Sequence, residues 1–169
     1  MLKMLIVEDE PLLAATLKHL IELNPLYQVT GIADDAASAL RAVDGRRPDL
    51  ALVDLQLARG CTGFSVAVKL GDLGIPCLFT TGNPPSFAMP DLALGCLCKP
   101  FNEEDLIRTL RAAEDIIRGR ERWRQRYPQN LELYCQARPP GVMKQIATGF
   151  VPARNRRQRS RVSLWAGGR

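Results

Sequence analysis

Polar side chains follow four short apolar runs of this sequence, each at the place where a buried strand would end. Glu8 and Asp9 follow the first run, and Asp54, Thr81 and Lys99 follow three later ones. In an open α/β sheet, ligands bind beyond the carboxyl ends of the strands, so we expect these side chains to lie close together. Three neighbouring carboxylates repel one another, and a hard cation, most simply Mg²⁺, would relieve that repulsion. A hydroxyl and an ammonium can hold phosphoryl oxygens, so the set suits phosphoryl transfer to a carboxylate.

The elements that must position these side chains alternate between strand and helix. Apolar runs predict strands over residues 2–7, 28–33, 50–53, 75–80 and 95–98. Apolar residues at helical spacing predict helices after the first, second, third and fifth strands, and the last of these begins after Asn102 and runs to Arg126. Pro84, Pro85 and Pro90 leave room for barely two helical turns after the fourth strand. The alternation predicts a parallel sheet with helices on both faces.

The net charge of +5 hides a division along the chain. Residues 1–117 hold 10 Lys and Arg against 16 Asp and Glu, whereas residues 118–169 hold 13 against 2. The later part shows no sustained apolar period and has a cluster of arginines between residues 154 and 161. We therefore expect one domain over residues 1–120. A basic, largely irregular C-terminal tail would occupy 121–169, comprising the end of the last helix and then a disordered segment.

Cysteine content and hydropathy exclude several classes of protein. The five cysteines are an odd number without Cys-x-x-Cys spacing, which argues against a disulfide framework and a zinc site. Cys77, Cys96 and Cys98 lie in apolar runs, where we expect them to act as small hydrophobic residues. No apolar run is long enough to span a membrane, and the N-terminus lacks a signal-peptide pattern. We therefore expect a cytoplasmic protein that has no membrane partner.

Residues 1 to about 120 resemble a response-regulator receiver domain of two-component signalling. Each matching segment is weak alone, but their order and their placement at strand ends make the resemblance specific. The segments are Ile6-Val-Glu-Asp-Glu10, Leu52-Val-Asp-Leu55, Pro76-Cys-Leu-Phe-Thr-Thr-Gly82 and Lys99-Pro-Phe101. The resemblance implies a flavodoxin-like, doubly wound sheet of five parallel strands in the order 2-1-3-4-5.

The resemblance also implies roles for the acidic residues. Asp54 would accept a phosphoryl group from a histidine kinase or a histidine phosphotransferase. Glu8 and Asp9 would hold Mg²⁺, directly or through water, with Asp54 and the backbone carbonyl of Gln56 as further ligands. Such a protein is a signalling switch that catalyses only its own phosphorylation and dephosphorylation, and is not a metabolic enzyme.

Thr81 and Lys99 would each bind a phosphoryl oxygen, and the family implies a cis peptide bond before Pro100. Thr80 is the rival of Thr81, although the spacing from Pro76 favours Thr81. Each residue also has a simpler interpretation. Asp54 could be a strand-end acid bonded to nearby backbone N–H groups, Thr81 the start of a turn, and Lys99 a solvated lysine. The chain would then be a pseudo-receiver that is not phosphorylated, but the complete set of acids argues against this interpretation.

Three features depart from the common receiver pattern. Ala58 replaces a frequent proline, and the loop after Asp54 is one residue longer. Cys96 occupies the position that usually carries an aromatic switch residue, which excludes a Thr–Tyr coupled rotamer switch. The Phe79-Thr-Thr-Gly-Asn83 loop and the proline-broken fourth helix resemble a subgroup of mostly stand-alone receivers with a Phe-Ala-Thr-Gly loop. Activation could then order residues 82–94.

Several outputs remain open at this stage. The favoured one is a contact with a downstream protein through the face of the fourth helix, fifth strand and fifth helix. The protein could instead be a phosphate sink or relay. The receiver could also gate binding of nucleic acid by the tail, with Trp123 or Trp165 stacking on bases. A solvated tail without a dedicated partner is favoured over nucleic-acid binding, and docking of the tail onto its own acidic domain is a third possibility.

Overall fold

A sheet of six strands runs through the structure, a computed structural model that describes residues 1–58, 62–120 and 126–134. The strands are β1 (Leu2–Val7), β2 (Tyr27–Ala33), β3 (Leu50–Asp54), β4 (Cys77–Thr81), β5 (Gly95–Cys98) and β6 (Leu131–Leu133). Their order is β2-β1-β3-β4-β5-β6, with the first five parallel and β6 antiparallel to β5. The predicted flavodoxin-like fold and its order of five strands are confirmed. Strand β6 was not predicted from the sequence.

Four helices connect these strands in the described residues: α1 (Pro11–Glu22), α2 (Ala36–Gly45), α3 (Gly63–Asp72) and α4 (Glu103–Ile117). Local sequence fixes where they begin. Pro11 lies in the first turn of α1, where its missing N–H removes no helical hydrogen bond. The side chain of Asp35 caps α2 by accepting a hydrogen bond from the backbone N–H of Ser38. The side chain of Asn102 caps α4 by accepting one from the backbone N–H of Asp105.

Apolar residues fill the space on both faces of the sheet. On one face, β-strand residues pack with α2 and α3 around Phe79, which is fully buried. On the other face, strand residues pack with α1 and α4 around Leu52 and Leu97. Cys77 and Cys96 belong to the first core, and burial raises the pKa of each thiol to about 12. These two cysteines therefore act as apolar core residues.

The chain between β4 and β5 contains no helix, although all of residues 82–94 are described. A turn in which the N–H groups of Leu92 and Ala93 donate to the carbonyl of Met89 takes the place of the doubtful fourth helix. Pro84, Pro85 and Pro90 interrupt the hydrogen bonds that a helix would need. The surface predicted from the fourth helix, the fifth strand and the fifth helix therefore lacks the first of these elements. The corresponding surface consists of residues 82–94, β5 with β6 on its outer edge, and α4.

Helix α4 ends earlier than the sequence predicted. Its last helical residue is Ile117. The N–H of Arg118 donates to the carbonyl of Glu114, and the N–H of Gly119 donates to the carbonyl of Ile116, which closes the end of the helix. Gly119 follows with φ of +63°, a left-handed conformation that glycine adopts without strain and that stops a helix. The predicted continuation to Arg126 is therefore wrong over residues 118–120.

Several predictions fall on residues 59–61, 121–125 and 135–169, which lie outside the described residues. They concern Cys61 and Cys135, Trp123 and Trp165, and the arginines between 154 and 161. Within the predicted tail, residues 126–134 are described and contain β6. No helix in the described part of the chain is long and apolar enough to cross a membrane.

Candidate functional site

Lys99 joins two buried carboxylates at the carboxyl edge of the sheet. Its Nζ lies 2.6 Å from Oδ2 of Asp54 and 3.1 Å from Oε2 of Glu8. Asp54 and Glu8 are only 5% and 4% exposed, whereas the Lys99 side chain is 22% exposed. Strands β1 and β3 are neighbours and deliver the two acids, and Lys99 directly follows β5. The prediction that the side chains of Glu8, Asp54 and Lys99 lie close together is therefore confirmed.

Burial and the ion pairs act in opposite directions on the site's pKa values. Burial raises the pKa of Glu8 above its ordinary value, although the hydrogen bond and charge of Lys99 act to lower it. Burial also acts to lower the pKa of Lys99, but hydrogen bonds to Asp54 and Glu8 outweigh it and raise the pKa of the ammonium. Lys99 therefore stays charged at neutral pH, and Glu8 takes up a proton more readily than an ordinary glutamate.

A backbone N–H group of the loop after β3 orients the side chain of Asp54. Oδ1 of Asp54 accepts a hydrogen bond of 2.9 Å from the N–H of Gln56, and Gln56 forms a β-bridge with Thr62. A Cβ atom on Gly63 would lie 2.1 Å from the carbonyl oxygen of Asp54. Only glycine at this position lets α3 begin so close to the end of β3, so Gly63 fixes the path of the loop beside Asp54.

Asp9 lies beside the same loop. Its Oδ2 accepts a hydrogen bond of 2.9 Å from the N–H of Ala58, which ties the end of β1 to the loop that follows Asp54. Oε1 of Glu8 accepts a weaker bond of 3.3 Å from the N–H of Glu10. Both predicted acids at the end of β1 therefore lie near Asp54: Glu8 shares the Lys99 ammonium with it, and Asp9 bonds to the loop that follows it.

Thr81 is fully buried at the end of β4, and its hydroxyl is engaged with the following turn. Its Oγ1 accepts a hydrogen bond of 3.2 Å from the N–H of Asn83 and lies 3.4 Å from the carbonyl oxygen of the same residue. The carbonyl of Thr81 accepts from the N–H of Lys99 at 2.8 Å, so the two residues are adjacent through their backbones. The expected cis peptide bond between Lys99 and Pro100 is present.

The carboxylates of Glu8, Asp9 and Asp54 fit Mg²⁺ in chemistry, although most of their oxygens already have partners. In the described ranges, no group of three or more Asp, Glu, His or Cys side chains is arranged as a ready metal site. Asp54 and Glu8 face the Lys99 ammonium, and Asp9 faces the N–H of Ala58. Carboxylate and carbonyl oxygens are the ligands that this hard cation prefers. To bind it, these side chains would have to share their oxygens with it.

Sequence reasoning missed Asn130, which lies on the other side of the Lys99 loop. The backbone carbonyl of Asn130 accepts from the N–H of Cys98 at 2.8 Å, and its Nδ2 donates to the carbonyls of Cys98 and Pro100 at 3.3 Å each. Asn130 is separated from these partners by about thirty residues. The three-residue strand that follows it is too short to give a period, so no sequence signal could have identified it.

Residues 4–111 match the family model described as the response regulator receiver domain. The sensory transduction protein LytT of Bacillus cereus is 34% identical over 116 residues, which cover 66% of this chain and 46% of LytT. The chain thus spans about half the length of this relative.

Solved structures show the same fold. The signal receiver domain of a modulated diguanylate cyclase from Desulfovibrio desulfuricans G20 superposes with a TM-score of 0.61 at 31% identity, covering 72% of this chain and 99% of that one. A CheY-like response regulator receiver domain protein from Methanospirillum hungatei JF-1 gives a TM-score of 0.63 with the same coverage. Its 24% identity supports the fold alone.

Proposed function

The chain belongs to the response regulator receiver domain family, and we propose that it is a phosphorylation-dependent switch with Asp54 as its phosphoacceptor. A receiver domain is a signalling module rather than a metabolic enzyme. The phosphoryl donor would be a phosphohistidine on a histidine kinase or a histidine phosphotransferase. The observation that carries this proposal is the single ammonium of Lys99 held between Asp54 and Glu8 at the carboxyl edge of the sheet.

The proposed reaction is an in-line transfer to a carboxylate. One oxygen of Asp54 forms a bond to phosphorus while the bond from phosphorus to the donor's imidazole nitrogen breaks. The nitrogen keeps the electron pair of the broken bond, and Asp54 becomes an acyl phosphate. The N–H of Gln56, bonded to Oδ1, orients the carboxylate before transfer. Later attack by water on phosphorus would release phosphate and restore Asp54.

Glu8, Asp9, Asp54 and the backbone carbonyl of Gln56 are the residues that we propose to hold Mg²⁺. When bound, the ion would neutralise charge on the phosphoryl oxygens, which three nearby carboxylates would otherwise repel. Glu8 must be ionised to serve as a ligand, directly or through water. Since burial raises its pKa, ion binding is expected to weaken on acidification at a higher pH than for an exposed glutamate.

Lys99 and Thr81 complete the proposed site. Lys99 would exchange its bond to Asp54 for one to a phosphoryl oxygen, which keeps its charge paired throughout the transfer. Thr81 would release Asn83 and turn its hydroxyl to another phosphoryl oxygen. Because Thr81 now bonds to Asn83, this exchange would change the conformation of residues 82–94 and so pass the signal to a protein partner. Phe87, 68% exposed in that segment, offers an apolar contact.

Two alternative outputs share the same phosphoacceptor. In a sink or relay, the acyl phosphate passes back to a histidine on another protein and no downstream contact is needed. In the other alternative, the receiver gates binding of nucleic acid by the basic residues beyond 117. Return of phosphate to a donor histidine, or binding of nucleic acid that depends on phosphorylation, would identify each of them.

The intact mass of the protein after incubation with Mg²⁺ and acetyl phosphate tests the proposal. The wild type should gain the mass of one phosphoryl group, and Asp54→Asn should gain none. Asp72→Asn, which changes an exposed aspartate on α3, is the matched control and should behave as the wild type. A wild type that gains no mass, or an Asp54→Asn variant that gains as much as the wild type, would disprove it.

A further inference from the structure

Residues 128–134, here called the edge segment, lie against the outer side of β5 and the loop that carries Lys99. We propose that the edge segment positions Lys99 for phosphoryl transfer and that Asn130 is its positioning residue. The inference rests on the proposed role of Lys99. The match to the receiver family ends at residue 111, so the edge segment comes from chain beyond that match.

Asn130 binds the backbone on both sides of Lys99. Its Nδ2 donates to the carbonyl of Cys98, which precedes Lys99, and to that of Pro100, which follows it. The same Nδ2 lies 3.5 Å from Oδ2 of Asp105, the residue that also belongs to the capping box of α4. All three neighbours of this atom are oxygens that accept hydrogen bonds, so it must be the amide nitrogen of Asn130 and not the amide oxygen. One side chain therefore links the end of β5, the cis peptide loop and the start of α4.

The strand pairing of the edge segment is built into β5. Gly95, Cys96 and Leu97 pair with Leu133, Glu132 and Leu131. A Cβ atom on Gly95 would lie 2.4 Å from the carbonyl oxygen of Glu132, so only glycine allows β6 to approach this closely. The pairing also covers the backbone groups at the outer edge of β5, which would otherwise be open to another strand.

Tyr134 anchors the far end of the edge segment in the core. Its N–H donates to the carbonyl of Leu94 at 2.9 Å, and its side chain is buried in the same apolar cluster as Cys96. Cys96 is small and stands where an aromatic residue was expected from the family pattern. Tyr134, almost forty positions later in the chain, adds its aromatic ring to the cluster that holds Cys96 and Phe79.

Lys99 is consequently held from two sides. On the inner side its N–H donates to Thr81 of β4, and on the outer side Asn130 holds Cys98 and Pro100. The backbone of Lys99 sets the point from which its side chain must reach Asp54 and Glu8, and misplacement of a catalytic group by about 1 Å can cost up to two orders of magnitude in rate. Release of the edge segment would therefore slow transfer without removing any group that touches the phosphoryl oxygens.

The test measures the rate of phosphorylation of the full chain by acetyl phosphate as a function of Mg²⁺ concentration. Asn130→Ala should lower the maximal rate about tenfold and leave the half-saturating Mg²⁺ concentration unchanged, because Asn130 contacts none of the proposed ligands. Gly95→Ala, which displaces β6 through its backbone, should act in the same direction. Glu132→Gln, in the same strand with an exposed side chain, is the control and should match the wild type.

Amide hydrogen exchange measured by NMR on the same four proteins separates this inference from the proposed function. Exchange at Cys98 and Lys99 should be about tenfold faster in Asn130→Ala than in Glu132→Gln, since the opening of these local hydrogen bonds is then easier. If the wild type takes no phosphoryl group, the proposed function fails and the exchange result alone decides whether Asn130 positions Lys99. Unchanged exchange, or an unchanged maximal rate in a wild type that is phosphorylated, would overturn the inference.

Discussion

At the scale of single residues, the site consists of two buried carboxylates and one partly exposed ammonium, and the stability of each charge depends on the others. Glu8 and Asp54 are both buried, and the ammonium of Lys99 is the cation that both contact. Removing one partner of such a group leaves the others unpaired in a medium that solvates them poorly. The same feature that suits the site to receive a phosphoryl group therefore makes it sensitive to substitution.

Replacement of Lys99 by methionine should destabilise the protein in a pH-dependent manner. We expect the free energy of unfolding to fall by about 2 kcal/mol at neutral pH, less than for a fully buried pair because Lys99 is partly exposed. Burial already raises the pKa of Glu8, and loss of the ammonium raises it further. The folded variant then binds a proton more readily than the unfolded chain, so its stability deficit should shrink as the pH falls towards about 5.

Urea unfolding of the wild type and the variant at the two pH values measures this effect. Lys69→Met, at an exposed position of α3, removes the same charge away from the site and should change stability little at either pH. A Lys99→Met deficit that does not depend on pH would contradict the assignment of Glu8 as the acid that responds.

Residue-scale prediction from the sequence succeeded where strand ends fix a position. Glu8, Asp54 and Lys99 each stand at the end of an apolar run, and parallel strands bring such ends to one edge. Asn130 could not be found in this way, because its partners are backbone carbonyls. Any asparagine brought to that place by the fold could bind them, and nothing in the sequence around residue 130 marks it.

At the scale of elements, glycines decide how closely neighbouring segments approach. Gly63 and Gly71 are both in α3, but their surroundings differ. A Cβ on Gly63 would collide with backbone atoms of Asp54 and Leu55, whereas a Cβ on Gly71 would meet nothing within 4 Å. Backbone atoms cannot move aside as the end of a flexible side chain can. The two positions therefore give a matched comparison within one helix.

Alanine at these two glycines should change stability in opposite directions. Gly71→Ala should raise the free energy of unfolding by about 0.5 kcal/mol, because alanine loses less backbone entropy in a helix. Gly63→Ala should lower it by about 2 kcal/mol or more, since the start of α3 must shift away from β3. Urea titrations measure both, and equal effects of the two substitutions would show that the approach of α3 to Asp54 is not tight.

Element boundaries show what sequence patterns could and could not predict. The start of α4 was predictable from Asn102 because capping is a local interaction. The end of α4 was missed because Arg118 to Arg126 contains good helix formers, yet Gly119 adopts a left-handed conformation. Strand β6 was missed because three residues carry too little pattern, and β5 rather than its own sequence determines its place.

At the scale of the whole molecule, charge is distributed unevenly along the chain. Residues 1–117 have a net charge of −6, and residues 118–169 have a net charge of +11.

The fold class was predictable because five apolar runs alternate with helical periods, a pattern that few architectures satisfy. The order of strands came from the family resemblance and is confirmed.

The basic excess predicts salt-dependent contact with nucleic acid rather than a specific site. Binding of the full chain to duplex DNA, followed by fluorescence anisotropy, should be detectable near 50 mM salt and lost by about 200 mM, as counterion release requires. A charge-only contact should also be indifferent to base sequence. Binding that persists at the higher salt and changes with acetyl phosphate treatment would instead favour a receiver that gates the tail.

The most direct test of the central claim is chemical identification of the phosphoacceptor. The wild type is treated with Mg²⁺ and acetyl phosphate, reduced with borohydride, digested and sequenced by mass spectrometry. An acyl phosphate is reduced to an alcohol, so the account predicts homoserine in place of Asp54 and unmodified acids at Glu8 and Asp9. Homoserine at another aspartate, or recovery of Asp54 unchanged from protein that had gained a phosphoryl group, would contradict it.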